Sequence, residues 1–305
     1  MSADLRCQLG RLSLKNPVMP ASGCFDWYPE HDGPFHPDEL GAVVLKSTTL
    51  QPRDGNIPIR LAETPSGMLN AIGIPSYGLE GFRTILREKW SRLKTPVIAS
   101  ISAFTPEEYA ILARELGKEP TVAALEINLS CPNLEHGVIP AQDPVLLREC
   151  VEAVREATEA MIIAKLSPNV TDIVEMASIS ESAGADAICL INSIRGMEID
   201  IWKKKPILGR GTGGLSGPAI KPIALAMVYE VCGAVKVPVI GVGGISRAED
   251  AIAFLLAGAS AVQVGTISFR DPLAMRKIIT GIREYLDSEG YTSVTDIIGL
   301  ARTDT

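Results

Sequence analysis

The segment with the most chemical information covers residues 126–133 and reads Glu-Ile-Asn-Leu-Ser-Cys-Pro-Asn. The residues leading into it are mostly apolar, as in a buried parallel strand, and Pro132 cannot continue a strand ladder. Cys131 therefore follows a strand end, between Asn128 and Asn133. The two carboxamides can orient a small polar ligand, and the thiol can exchange a proton near neutral pH. A lone cysteine is more often inert core, but the flanking asparagines favour a chemical role.

Polar residues or glycines also follow the other apolar runs of the chain. Lys46 and Lys165 lie just inside two runs, where a charge is costly unless a partner or ligand neutralises it. One such lysine is usually an ordinary residue at the end of a strand, but two of them beside an Asn-Cys-Asn loop favour a functional site. The residues at the ends of the eight runs are Ser22, Lys46 with Ser47, Ser100, Asn128 with Cys131, Lys165, Asn192 with Ser193, Gly243 with Gly244, and Gly265 with Thr266.

A second candidate site is formed by glycines late in the chain. Residues 241–246 read Gly-Val-Gly-Gly-Ile-Ser, and Gly265 and Thr266 follow the next apolar run. Glycines after parallel strands let backbone N–H groups approach an anion, and the following helix adds its positive N-terminal end. The alternative is a pair of tight strand–helix turns. The pattern predicts a phosphate site but no dinucleotide fingerprint, because the glycine-rich run 209–217 lies in a loop.

These residues must be positioned by regular alternation of strands and helices. The predicted strands are 17–19, 42–45, 96–101, 122–127, 161–166, 187–191, 238–242 and 261–264, and the predicted helices are 106–116, 144–159, 171–183, 219–233 and 247–257. Eight strands favour a closed (β/α)8 TIM barrel, with a doubly wound open sheet as the alternative. In a barrel all the strand ends above share one rim. The long segments 47–80 and 193–218 are predicted to be active-site loops at that rim.

Composition narrows the class of protein. The 305 residues, 46% of them hydrophobic, are expected to form one domain, 1–305. A net charge of −7 argues against nucleic acid or an anionic membrane as the main partner. The six cysteines include no Cys-x-x-Cys pair, so neither a metal site nor an iron–sulfur cluster is predicted. The N-terminal residues lack a signal-peptide pattern, and we expect a cytoplasmic protein with reduced thiols.

Taken together, the motifs resemble those of the class 1 dihydroorotate dehydrogenases, FMN enzymes of pyrimidine synthesis, over essentially the full length. The matching motifs are Pro-Ala-Ser-Gly at 20–23, Lys-Ser-Thr-Thr at 46–49, Asn-Ala-Ile-Gly at 70–73, Asn-Leu-Ser-Cys-Pro-Asn at 128–133, Ala-Lys-Leu-Ser-Pro-Asn at 164–169, Leu-Ser-Gly-Pro-Ala-Ile-Lys-Pro at 215–222, Gly-Val-Gly-Gly-Ile at 241–245 and Val-Gly-Thr at 264–266. The most similar subgroup is class 1B. Its catalytic subunit works with a separate electron-transfer subunit, here expected to carry FAD and a [2Fe-2S] cluster in a heterotetramer of two chains of each kind.

The resemblance implies roles for individual residues. Cys131 would remove a proton from C5 of dihydroorotate while C6 passes a hydride to the flavin, and the product would be orotate. The residues implied to hold the pyrimidine and its carboxylate are Lys46, Asn70, Ala71, Ile72, Gly73, Ile74, Asn128, Asn133, Asn192 and Ser193. The residues implied to surround FMN are Ser22, Lys46, Ser47, Ser100, Asn128, Lys165, Ile191, Gly217, Gly243, Gly244, Gly265 and Thr266.

Physical chemistry is consistent with these roles, and two positions depart from the family pattern. A free thiol has a pKa of about 8.5, so lysines in the site would help by stabilising the thiolate. Lys165 near the flavin would stabilise its reduced, anionic form. Ser100 stands where the family usually has Asn; it is shorter and cannot donate an amide N–H to the flavin or ligand, although a bridging water could serve. Ser193 replaces the usual Thr but keeps the hydroxyl.

Rival functions remain open at this point. The class 1A enzymes use fumarate and would work without a partner subunit. A Schiff-base lyase could use Lys46 or Lys165 as nucleophile on the same fold. A cysteine hydrolase could pair Cys131 with His136, although the sequence offers no evident third residue to orient the histidine. A non-catalytic binding scaffold is disfavoured by the density of polar strand ends.

Overall fold

The computed structural model describes residues 2–26, 33, 35–129 and 139–302. Its strands are β1 (Cys7–Leu9), β2 (Leu12–Leu14), β3 (Val18–Pro20), β4 (Val43–Val44), β5 (Leu61–Thr64), β6 (Gly67–Asn70), β7 (Val97–Ile101), β8 (Ala124–Asn128), β9 (Met161–Lys165), β10 (Ala187–Leu190), β11 (Ile194–Met197), β12 (Ile199–Asp200), β13 (Lys205–Pro206), β14 (Thr212–Ser216), β15 (Val239–Val242) and β16 (Ala261–Val264). Its α-helices are α1 (Gly78–Gly81), α2 (Arg87–Ser91), α3 (Pro106–Leu116), α4 (Pro144–Ala157), α5 (Ile173–Ser182), α6 (Lys221–Ala234), α7 (Ala248–Leu256) and α8 (Ala274–Glu289).

Eight parallel strands form the barrel, in the order β3-β16-β15-β10-β9-β8-β7-β4. They coincide with the eight predicted apolar runs, so the predicted (β/α)8 fold is confirmed. The two ends of the sheet meet where the Gly41 N–H donates to the Val18 carbonyl at 2.9 Å. A Cβ on Gly41 would lie 2.0 Å from the Asn16 carbonyl oxygen. This closure therefore requires a residue without a side chain.

Local sequence signals explain where the barrel helices begin and end. The Asp143 side chain accepts from the backbone N–H groups of Val145 and Leu146 and thereby caps α4. Asp172 caps α5 in the same way. The five predicted helices are present. The structure also contains helical segments over residues 78–91 and the helix α8, which were not predicted. Among the residues described, no helix is both long and apolar enough to cross a membrane.

The two long segments predicted as active-site loops contain a second, four-stranded antiparallel sheet in the order β11-β14-β6-β5. Asn70 pairs with Gly214 in this sheet, which joins the two segments over the barrel rim. The sequence of this second sheet has no clear alternation of apolar residues, because glycines occupy the positions where β14 lies close to neighbouring residues. A Cβ on Gly214 would lie 1.9 Å from the Ser193 Oγ, and one on Gly213 would lie 2.4 Å from the Asn70 carbonyl oxygen.

The hydrophobic core runs through the barrel and between the barrel and its helices. One cluster of buried side chains extends from the β1–β2 hairpin to the segment after α8. A separate small cluster of Leu69, Ala71 and Leu208 lies under the second sheet. The barrel interior also buries polar side chains, of which Glu126, Lys165 and Gln263 concern the site below.

Candidate active site

A cavity of about 990 Å³ lies at the C-terminal ends of the barrel strands. Within the described part of the chain, every barrel strand except β7 contributes lining residues through its end or the loop that follows. The segments around β5, β6 and β14 form the rest of the wall. The predicted site residues found in the lining are Ser22, Lys46, Ser47, Asn70, Ile72, Gly73, Ile74, Asn128, Lys165, Ile191, Asn192, Ser193, Gly217, Gly243, Gly244, Gly265 and Thr266.

Four predicted site residues are not found in the lining. Cys131 and Asn133 lie outside the described residues. Ala71 is buried in the small cluster under the second sheet, where its carbonyl accepts from the Asn56 Nδ2 at 3.1 Å. Ser100 is fully buried at the end of β7, and its hydroxyl hydrogen-bonds the Ser47 Oγ at 2.9 Å. Ser100 thus reaches the cavity wall through Ser47.

A chain of hydroxyl and amide groups orients one side of the cavity. The Asn128 Nδ2 donates to the Ser47 Oγ at 3.3 Å, while the Ser22 hydroxyl donates to the Leu45 carbonyl at 2.8 Å. The Tyr109 hydroxyl donates to the Asn128 backbone carbonyl at 2.8 Å and fixes the end of β8. These bonds hold polar side chains of three strands in fixed orientations, which is how a rigid scaffold orients a polar ligand.

Lys165 reaches the cavity from the barrel interior. Its Nζ donates to the Gln263 Oε1 at 3.0 Å and to the Glu126 Oε1 at 3.4 Å. Burial, the largest single influence, would lower the pKa of Lys165, but the Glu126 carboxylate together with Cys189 and Cys24 outweighs burial, and the pKa is raised. The side chain is therefore a cation at the cavity floor. Burial also raises the pKa of the nearby Cys24 thiol, against the opposing charges of Lys165 and Lys46.

A second group of lining residues is suited to a small polar ring. Asn70 donates through Nδ2 to the Gly214 carbonyl at 3.2 Å, and the Asn192 Oδ1 accepts from the Ser193 N–H at 2.8 Å. Gly23 lies against the stem of Lys46, with φ +76° and room for no Cβ, since one would lie 2.8 Å from the lysine Cδ. Lys46 lines the cavity, where its ammonium can pair with a carboxylate as a point charge.

The glycine turns at the ends of β15 and β16 meet Gly217 and form a backbone cradle. Gly243 and Gly244 have φ values of +138° and +73°, and Gly217 has +97°. A Cβ on Gly243 would lie 2.6 Å from the Ala224 Cβ, and one on Gly244 would lie 2.9 Å from the Gly217 carbonyl oxygen. The cradle therefore exists only with glycine at these positions, and its N–H groups suit a phosphate.

Neighbouring side chains stabilise this cradle. Asp250 accepts from the Ser246 N–H at 2.9 Å and from the Ser246 hydroxyl at 2.8 Å, and its other oxygen pairs with the Lys221 Nζ at 2.6 Å. The Thr266 hydroxyl donates to the Ser216 Oγ at 2.9 Å. A cradle suited to a phosphate and a buried cation lie in one cavity, and these two kinds of group fit the phosphate and the ring of FMN.

Some residues of the site were not predicted. Glu126 and Gln263 lie inside apolar strand runs, and a charged or amide residue there was a readable signal of a buried polar network. Asn169 donates to the Ser193 carbonyl at 3.1 Å and its Oδ1 accepts from the Arg195 N–H at 2.9 Å, which positions the Ser193 loop. Cys24 lines the cavity but carries no sequence signal of its own.

Comparison with known proteins gives one consistent result. A family model described as dihydroorotate dehydrogenase matches residues 4–286. The chain is 48% identical over 300 residues to the dihydroorotate dehydrogenase B (NAD(+)), catalytic subunit, of Trichlorobacter lovleyi, covering 98% of this chain and 99% of that protein. It is 49% identical over 300 residues to the protein of the same name from Pelobacter propionicus, covering 98% and 99%. The predicted resemblance is thus confirmed, and the chain belongs to the dihydroorotate dehydrogenase family.

Proposed function

We propose that this chain is the catalytic subunit of a class 1B enzyme that oxidises dihydroorotate to orotate in pyrimidine synthesis. The observation that carries the proposal is the composition of the large cavity at the strand ends. It combines a glycine cradle suited to a phosphate, the buried cation of Lys165 and the polar group of Lys46, Asn70 and Asn192. The names of the near full-length relatives support the same reaction.

FMN is the proposed cofactor, and when bound it supplies the acceptor for a hydride. Gly217, Gly243 and Gly244 would hold its phosphate through backbone N–H groups, together with Gly265 and Thr266. Lys165 would stabilise negative charge on its ring. Ser22, Ser47 and Asn128 would contact the ring from the strand ends.

The substrate would bind beside the flavin through its carboxylate and ring amides. Lys46 is the proposed partner of the carboxylate, and Asn70, Asn128, Asn133, Asn192 and Ser193 are the proposed partners of the ring. Cys131 is the proposed base. Its thiolate takes the C5 proton as a hydride leaves C6, so the C5–C6 single bond becomes the double bond of orotate.

Electrons are proposed to leave through a partner subunit to NAD. The relatives' printed name, catalytic subunit, supports a second chain. We propose that this partner carries FAD and a [2Fe-2S] cluster in a cytoplasmic heterotetramer of two chains of each kind. The test is to assay the isolated chain with dihydroorotate and NAD, and then with fumarate. Strong NAD reduction by the chain alone contradicts the partner requirement, and efficient fumarate turnover indicates class 1A.

The role of Cys131 is tested by Cys131→Ser. A serine hydroxyl is a much weaker acid than a thiol, so we expect retained FMN binding, turnover lowered by about 10²–10⁴-fold and an activity that rises toward alkaline pH. The matched control is Cys232→Ser, a half-buried cysteine that does not line the cavity. Wild-type turnover and pH profile in Cys131→Ser, with the control unchanged, would place the base elsewhere.

A further inference from the structure

Three polar side chains from three strands meet inside the barrel beneath the cavity. Glu126 on β8 and Gln263 on β16 are both fully buried, and Lys165 on β9 is nearly so. The Gln263 Nε2 donates to the Glu126 Oε2 at 2.5 Å, while the Gln263 Oε1 accepts from the Lys165 Nζ at 3.0 Å. The Glu126 Oε1 lies 3.4 Å from the same Nζ. Each polar atom of the carboxylate and of the amide head therefore has a partner in this network.

The network holds one buried cation and one buried anion. The other titratable groups that face Lys165, within the described residues, are the thiols of Cys24 and Cys189. Burial raises the pKa of both thiols, so both are neutral at physiological pH. Glu126 is consequently the counter-charge that keeps Lys165 protonated in a site where burial alone favours the neutral amine. A buried ion pair is a costly way to stabilise a fold, which points to a role in the site.

We propose that Glu126 and Gln263 are positioning residues that hold the Lys165 ammonium charged and fixed at the floor of the cavity. The inference rests on the proposed FMN site. Two N–H groups of the ammonium are used by Gln263 and Glu126, which aims the remaining one at the cavity. Since Lys165 is already protonated, two-electron reduction of bound FMN draws no proton onto this lysine.

The number of protons taken up when bound FMN is reduced gives a readout that a merely structural role would not change. In Glu126→Gln the shape is kept but the counter-charge is lost, so Lys165 is neutral beside oxidised FMN and gains a proton when FMN is reduced. The midpoint potential of bound FMN is then expected to fall with pH more steeply than in the wild type, by about 30 mV per pH unit, the value for one extra proton per two electrons. Glu126→Asp keeps a carboxylate and is expected to restore the wild-type slope.

Gln263→Leu tests positioning separately from charge. It removes the acceptor for the Lys165 Nζ and the donor to the Glu126 Oε2 but keeps the Glu126 carboxylate. We therefore expect FMN affinity to fall by about fivefold to tenfold, the effect of one hydrogen bond to the lysine, with the wild-type pH slope. The matched control is Glu88→Gln, which removes a carboxylate paired with Arg92 on an exposed helix face, with 80% of its side chain exposed. We expect that control to leave both the slope and the affinity unchanged.

The experiment is spectroelectrochemistry of the FMN-loaded chain from about pH 6 to 9, a range that brackets neutrality, together with flavin titration of each apoprotein. A wild-type slope in Glu126→Gln overturns the charge role, and wild-type affinity in Gln263→Leu overturns the positioning role. If Glu126→Gln does not fold, a pH slope steeper than wild type in Glu126→Asp, which keeps the carboxylate, overturns the charge role, and wild-type FMN affinity in Gln263→Leu overturns the positioning role. A wild-type chain that binds no FMN would instead refute the proposed function, so the two failures are distinguishable.

Discussion

Gly243→Ala tests whether the cradle after β15 depends on its backbone. Position 243 has φ +138°, where a non-glycine residue costs about 1–3 kcal/mol. The added Cβ would also lie 2.6 Å from the Ala224 Cβ and 3.3 Å from the Ile191 Cγ1. Overpacking of a buried site costs about 1–3 kcal/mol more. The free energy of unfolding should therefore fall by about 2–6 kcal/mol, a large part of the 5–15 kcal/mol typical of a domain.

The same substitution should weaken FMN binding, because relief of the clash moves the turn and its N–H groups. A hydrogen bond to a charged group contributes about 1.5–3 kcal/mol, so loss of one lowers affinity by about tenfold to a hundredfold. The matched control is Gly290→Ala. Gly290 has φ +78° with nothing within 4 Å of its Cβ, so the control isolates backbone strain of about 1–2 kcal/mol. Urea unfolding measures the free energy of unfolding, and flavin fluorescence titration measures the affinity for FMN. Equal effects of the two variants on FMN affinity would refute this reasoning.

Two further predictions concern polar groups around the cavity. Ser47→Ala removes a buried hydroxyl that both the Ser100 hydroxyl and the Asn128 amide use as a hydrogen-bond partner. The free energy of unfolding measured in urea should therefore fall by about 1–3 kcal/mol. Ser13→Ala, at an exposed serine, should change it little. A loss no larger than that of Ser13→Ala would contradict the shared bond. Burial would raise the pKa of Asp250, but Lys221 and Ser246 outweigh it and lower the pKa below 3.8. Its carboxylate therefore stabilises the fold above that pH and loses this effect as the pH falls through the lowered pKa. The stability difference between the wild type and Asp250→Asn should be about 1.5–3 kcal/mol at neutral pH and vanish in acid, and a pH-independent difference in urea unfolding would contradict it.

The barrel could be predicted from the sequence because buried parallel strands are continuous apolar runs, which gave all eight strand positions. The second sheet could not, since its strands are short and carry Gly213 and Gly214 at sites of close backbone approach. Most site residues could be predicted because each follows an apolar run, and a closed barrel brings the run ends together. Ser100, which the resemblance implies to lie near the flavin, is buried and hydrogen-bonds the Ser47 hydroxyl.

The contacts within the Lys165 network could not be predicted from the sequence. Glu126 lies within an apolar strand, and its partner Gln263 lies on the last barrel strand, 137 residues later. Nothing local in the sequence indicates that these two side chains meet across the barrel interior. Side-chain partners of high sequence separation are set by strand register and closure, which only the folded structure provides.

The most direct test of the proposed function is anaerobic addition of dihydroorotate to the purified chain, with flavin absorbance recorded. We expect a yellow protein with about one FMN per chain, as one cradle implies, whose flavin absorbance is bleached by dihydroorotate and restored by an electron acceptor. A colourless protein that binds no FMN, or a bound flavin that dihydroorotate fails to bleach, would contradict the account.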